Sequence, residues 1–475
     1  MRLTTNSPYE FVYQLAKSPH VFACLNIDNS LFFCIFAGTF NLLSMERNAI
    51  YHLKEWKNKN RRKPLIVRGA RQVGKTWLIK EFGRQEYAKI AYINFENAQQ
   101  MQTIFKADFN INRIIMAIQV ETGIQITPED TLIIFDEIQE AEGGLTSLKY
   151  FYENASEYHI IAAGSLLGVA LYRTKSFPVG KVDFMYLYPL DFTEFLMAMG
   201  QKPLLDLLKN KDWELIKVFK DKFIELLKQY YYVGGMPEVV SAFVENKDIA
   251  EVRDLQKNIL TSFEQDFSKH APNEIIPRIR MLWDSIPVQL AKEKKKFLYG
   301  QVKKGARARD YELALSWLKD SGLIYKIEKI SKPDIPLKGY VDSSAFKIYI
   351  LDVGLLSAMG DIDARTLLKG NVIFEEFKGS LTEQYVLQQL IINKDISVYY
   401  WSADGSGAAE IDYVIQYQGD VIPIEVKASE NLQAKSLKVY CQKYNPKTAV
   451  RTSMSDFREE EWLVNIPLYA ISQLR

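Results

Sequence analysis

The segment Gly69-Ala-Arg-Gln-Val-Gly74-Lys75-Thr76 constrains this chain more than any other stretch. It follows a short apolar run, Leu65-Ile66-Val67, entered through Pro64, and it precedes a helical pattern that begins at Trp77. Strand, glycine-bearing loop and helix in that order predict a cradle for phosphate. The glycines let the loop curl so that backbone N–H groups turn inward, and the following helix adds its positive end. On this reading Gly69, Ala70, Arg71, Gln72, Val73, Gly74, Lys75, Thr76 and Trp77 contact ATP. Lys75 neutralises β- and γ-phosphate charge, and Thr76 ligates Mg2+ through its hydroxyl.

Three further apolar runs, Ile90 to Phe95, Thr131 to Phe135 and His159 to Ala163, alternate with helical patterns. Such alternation predicts a parallel sheet covered on both faces. The third run of the four ends in Phe-Asp136-Glu137, two acids at the strand end where ligands of open α/β sheets bind. Asp136 is expected to hold the Mg2+ shell and Glu137 to orient the attacking water, the alternative being a cap on the next helix. Gly164-Ser165 follows the fourth run, and Ser165 either senses the γ-phosphate or forms a plain turn.

With 475 residues, the chain exceeds what one core supports, so several domains are expected. A hydrophobic fraction of 48% with 25% charged residues fits a globular chain and argues against long disorder. The net charge of +2 rules out a strongly basic overall field, so any nucleic-acid contact needs a local patch. Cys24, Cys34 and Cys441 are scattered, which suggests neither a disulfide framework nor a zinc site. The apolar run from Leu31 to Leu43 is too short to span a bilayer and lacks a signal-peptide cleavage site. A cytoplasmic protein without membrane attachment is expected, and residues 1–44 form a segment of uncertain status, with Met45 an alternative start.

Arg68 to Thr76, Phe-Asp136-Glu137-Ile-Gln139, Ala-Gly164-Ser165-Leu-Leu-Gly168 and Tyr188-Pro-Leu-Asp-Phe-Thr-Glu-Phe195 together resemble bacterial and archaeal AAA-superfamily ATPases. Tyr232-Val-Gly-Gly-Met-Pro-Glu-Val-Val240 and Leu351-Asp-Val-Gly-Leu-Leu356 resemble the C-terminal half of such chains, a half of unknown function. The resemblance implies an arginine that completes the site, commonly from a neighbouring subunit, and hence a possible homo-oligomer. At the expected place the chain has Gly180-Lys181, a weaker substitute because lysine lacks the planar fork; Arg173 is the nearest alternative.

Between Ala291 and Arg309 stand Lys292, Lys294, Lys295, Lys296, Lys303, Lys304, Arg307 and Arg309 against a single acid, Glu293. A helix, the turn at Ser321-Gly322 and the strand-like Leu323 to Ile327 follow, an order similar to a winged helix-turn-helix that could set lysines on DNA phosphates. A domain-packing module is the alternative. Further on, Glu410-Ile-Asp412 and Glu425-Val-Lys427 lie on two strands joined at Gln418-Gly419-Asp420. Two carboxylates beside a lysine are the minimum for metal-dependent phosphodiester hydrolysis. The pattern resembles restriction-endonuclease-like nucleases, with Glu383 as the acid of an upstream helix.

The expected architecture is α/β and multidomain. It comprises an AAA-type parallel-sheet ATPase core at 45–200, a helical connector at 201–283, a winged helix at 284–335 and a nuclease-like α/β domain at 336–475. The expected function is Mg-dependent ATP hydrolysis coupled to a C-terminal half that binds nucleic acid. An ATP-regulated DNA endonuclease and a non-catalytic ATP switch stand as alternatives.

Overall fold

The four apolar runs form strands β1 (Leu65–Arg68), β2 (Lys89–Asn94), β3 (Thr131–Asp136) and β4 (His159–Ala163). The computed structural model describes residues 46–165, 167–170, 178–292, 295–369, 375–403, 409–430 and 433–474. A fifth strand, β5 (Asp183–Tyr186), completes a parallel sheet in the order β2-β3-β4-β1-β5. β3 is buried along its whole length, as its Leu-Ile-Ile-Phe run requires when helices cover both faces. The covering helices include α2 (Lys75–Glu86), α3 (Gln99–Ala107), α4 (Ile111–Thr122) and α5 (Gly144–Asn154), preceded in the chain by α1 (Ala49–Lys57). Ile114, Ile118, Leu148 and Phe151 from α4 and α5 join Phe95 and Phe135 in one core. Asn110 caps α4 by accepting the Arg113 N–H at 3.2 Å, and Gly123 ends it in the left-handed region.

His159 opens β4 with its Nδ1 2.6 Å from the Tyr87 hydroxyl, and the two rings meet edge to face. Burial, with the nearby Arg62 and Lys57 charges, brings its pKa down from 6.5 to about 4. Because the folded value lies below the unfolded one, stability falls as pH drops from 6.5 towards 4 and levels off below that. His159→Gln is expected to flatten this part of the melting temperature against pH curve. An unchanged curve would assign the pH dependence elsewhere.

α6 (Leu167–Ala170) lies between β4 and β5, and a run of helices follows the sheet: α7 (Phe192–Ala198), α8 (Lys202–Asn210), α9 (Trp213–Val218), α10 (Lys220–Val233), α11 (Pro237–Asn246), α12 (Ile249–His270) and α13 (Ile276–Leu290). The break at Gly234-Gly235-Met-Pro237 has a physical cause. A Cβ on Gly235 would lie 2.1 Å from the Leu190 carbonyl oxygen, so only glycine admits this approach. The Gly235 N–H donates to Asp352 at 2.6 Å, and Pro237 then starts α11, where its missing N–H costs nothing.

The short α14 (Tyr299–Val302), α15 (Ala308–Asp320), β6 (Ile324–Ile330) and β7 (Val341–Ile350) follow. α16 (Val353–Met359), α17 (Ala364–Lys369), α18 (Glu375–Ile391), β8 (Ser397–Ser402), β9 (Glu410–Tyr417) and β10 (Asp420–Val426) come next. The chain closes with α19 (Lys435–Tyr444), β11 (Val450–Ser453), β12 (Arg458–Glu459) and β13 (Val464–Pro467). The eight strands form one mixed sheet, β12-β13-β11-β10-β9-β8-β6-β7. β6 pairs antiparallel with β7 and parallel with β8, so this sheet runs across the division expected at 335/336. The helix, glycine turn and strand of the expected winged unit are present, and their strands belong to the C-terminal sheet. The turn between β9 and β10 is the two-residue Gln418-Gly419, both at positive φ, as a tight hairpin requires.

Residues Glu46–Arg475 form one compact unit, tied across its halves by polar contacts. Gln389 of α18 accepts the Phe192 N–H at 3.0 Å, and Arg71 donates to Asp266 at 2.6 Å. No helix among the described residues is long and apolar enough to cross a membrane.

Candidate nucleotide site

The sheet brings Gly69 after β1, Asp136 at the end of β3 and Ser165 after β4 to one edge. Gly69 has φ +150°, and a Cβ there would lie 2.3 Å from the Leu187 carbonyl oxygen, so the loop turns against the chain leaving β5. Gln72 and Gly74 also have positive φ, which curls the loop back on itself. Lys75 is buried, and its Nζ donates to the carbonyls of Gly69 at 3.1 Å and Ala70 at 2.8 Å. Desolvation lowers its pKa to about 8 against the opposing pull of Glu137 and Asp136. Thr76 and Tyr92 both donate to Asp136 Oδ2, at 2.8 and 2.9 Å.

Glu137 occupies the left-handed region at φ 49°, a conformation rare outside glycine and frequent at functional positions. Its carboxylate accepts from Ser165 Oγ at 3.0 Å, from the Ser165 N–H at 3.2 Å and from Gln139 Nε2 at 2.6 Å. Ser165 Oγ lies 3.4 Å from Lys75 Nζ, so Lys75, Thr76, Asp136, Glu137 and Ser165 form one connected polar group. The oxygens of Thr76 and Asp136 are the hard donors that Mg2+ prefers.

Two residues that hold the loop, Arg47 and Asp266, belong to no motif. Arg47 donates to the Val73 and Tyr188 carbonyls and pairs with Glu194 at 3.2 Å. Glu194 in turn completes a capping box with Asp191 at the start of α7. Arg71 pairs with Asp266 of α12 at 2.6 Å, and Trp77 is 36% exposed. Lys181 pairs with Glu153 at 3.0 Å and lies over the Tyr152 ring, away from the group just described. Arg173 lies outside the described residues.

The C-terminal acids are held differently. Glu383 is buried, paired with Lys295, 3.9 Å from Lys347 Nζ, and accepts from Tyr349 at 3.0 Å. Asp412 accepts the Val426 N–H at 2.8 Å, and burial with the Glu383 charge pushes its pKa up to about 7. Glu425 pairs with Lys427 at 2.7 Å and accepts the Leu437 N–H at 3.2 Å. Among the described residues, no three His, Cys, Asp or Glu side chains stand together as a metal site. Lys295, expected in a solvent-facing patch, is therefore withdrawn from it. Lys296, Lys303, Lys304, Arg307 and Arg309 remain exposed.

A five-stranded parallel sheet with a phosphate-binding loop after β1 and paired acids after β3 defines the class: a P-loop ATPase core. Comparison with known proteins agrees, since residues 61–196 match a family model described as an AAA domain. Residues 224–366 match a domain of unknown function (DUF8612) and residues 378–471 another (DUF4143). No curated protein matches the chain. Among solved structures, the Walker-type ATPase of Pyrococcus abyssi matches at 16% identity over 66% of this chain and 95% of its own, with a TM-score of 0.40. The ORC1 protein of Aeropyrum pernix, in complex with DNA, matches at 10% identity over 66% of this chain and 91% of its own, with a TM-score of 0.26.

Proposed function

We propose that the chain binds and hydrolyses Mg-ATP at this site and that hydrolysis changes what its C-terminal half binds. The convergence of Lys75, Thr76, Asp136, Glu137 and Ser165 on one sheet edge carries the reading. Bound Mg2+ would neutralise phosphate charge and orient the phosphoryl oxygens. Thr76 and Asp136 hold the cation, and Lys75 leaves the loop carbonyls to meet phosphate oxygens. Glu137 accepts a hydrogen bond from the attacking water, while Ser165 and Gln139 fix its carboxylate. Lys75→Ala is expected to weaken ATP binding at least tenfold, read by titration of a fluorescent ATP. Unchanged affinity would remove the loop from the nucleotide site.

The C-terminal half fits binding better than cutting. Glu383 already faces two ammonium groups, whose charge opposes an incoming dication. The five exposed cations between 296 and 309 favour a polyanion such as DNA. If each meets one phosphate, log K should fall with log salt at a slope of about −4.5. A slope near zero in a filter-binding series would argue for a protein target instead.

A further inference from the structure

A cavity of about 390 Å³ opens beside the loop, walled by both halves of the chain. Arg68, Gly69, Ser165 and Tyr186 line it from the ATPase side, and Lys319 and Ser321 from the last turn of α15. It opens onto the polar group described above, because Ser165 Oγ touches both Lys75 and Glu137.

The end of α15 and the turn after it are fixed at two points, one on the loop and one on α6. Gly322 has φ +77°, and a Cβ there would lie 3.3 Å from the Ala70 nitrogen and 2.3 Å from the Tyr186 hydroxyl. A Cβ on Gly168 would lie 2.0 Å from the Asp320 carbonyl oxygen. At Gly168 backbone meets backbone, and at Gly322 the turn also packs on the Tyr186 ring hydroxyl.

The lining is electropositive on balance. Arg68 stacks its guanidinium over Phe184, and its buried Nε has no hydrogen-bond partner among the described residues. Lys319 adds a second cation on an exposed side chain. Asp320 and the carbonyl end of α15 oppose them. Two full positive charges outweigh one carboxylate and the roughly half charge of a helix end.

We infer that this cavity takes the terminal phosphate of the bound triphosphate and that Lys319 is the cation completing the site from within the same chain. The inference rests on ATP binding at the loop. It makes α15 the reporter of nucleotide state. That helix of 13 residues spans about 20 Å and carries Lys319 at one end and Arg309 at the other, with Arg307 just before it. A terminal phosphate held at 319 thus sits on the same helix as Arg309 of the basic patch.

The test compares a non-hydrolysable ATP analogue, with an imido bridge between the β and γ phosphorus atoms, with ADP, on the full chain in Mg2+. Lys319→Ala should weaken the analogue about tenfold and leave ADP within twofold, and Lys319→Arg should keep both near wild type. Equal loss of both nucleotides, or loss of neither, overturns the inference. Lys75→Ala serves as the reference. If it binds both nucleotides like wild type, ATP binding at the loop fails and the role of Lys319 falls with it. If it loses both while Lys319→Ala is unselective, only the inference fails.

Discussion

Glu137→Gln is expected to bind ATP as tightly as wild type and to turn it over at least about a hundredfold more slowly, a loss in the usual range for a general base. The amide keeps the shape and one oxygen, so contacts from Ser165 and Gln139 survive in part. What goes is the negative charge that orients and polarises water. The strained backbone at this position, φ 49°, also serves the carboxylate rather than the fold, because the side chain it aims is held by three donors, two from Ser165 after β4 and one from Gln139 two residues on. Steady-state phosphate release alongside nucleotide titration separates the two effects. Turnover at the wild-type rate would place the base elsewhere.

Lys347→Met is expected to cost about 3–5 kcal/mol of stability, the range for removing one partner of a buried ion pair. Lys347 is 1% exposed, its Nζ 2.5 Å from Glu410 and 3.9 Å from Glu383. Burial alone would lower its pKa, yet Glu410 and Glu383 outweigh it and hold the pKa above the usual lysine value. Methionine fills similar volume and leaves carboxylates facing apolar surroundings. Urea denaturation measures the loss, and adding Glu410→Gln should recover part of it. A midpoint shift worth less than about 1 kcal/mol would show that the site tolerates naked carboxylates.

β1, β3 and β4 are legible because each lies inside the sheet and reads as a continuous apolar run, and β2, an edge strand and partly exposed, still carries the apolar Ile-Ala-Tyr-Ile. β5 is not legible. It is the other edge strand, half-exposed along its length, and its Asp-Phe-Met-Tyr lacks that signature. The pairing of Lys181, in the loop before it, with Glu153 likewise has no sequence signal. Lysines 292 to 296 looked alike as charge. Burial separates Lys295 from Lys296, and that depends on where α18 packs. Arg71 with Asp266 and Lys295 with Glu383 are joined by folding across 195 and 88 residues, distances at which spacing says nothing.

The walls of the loop have an evolutionary consequence. Pro237 lies against Gly74, Asp266 holds Arg71 and Gly322 abuts Ala70, and all three come from the half that follows the AAA domain. Gly235 joins the same halves by meeting Leu190 of the AAA domain at a point where no side chain fits. Such a chain cannot trade its C-terminal half for another as a module on a tether can. Its two halves must diverge in step, each change at the seam answered across it.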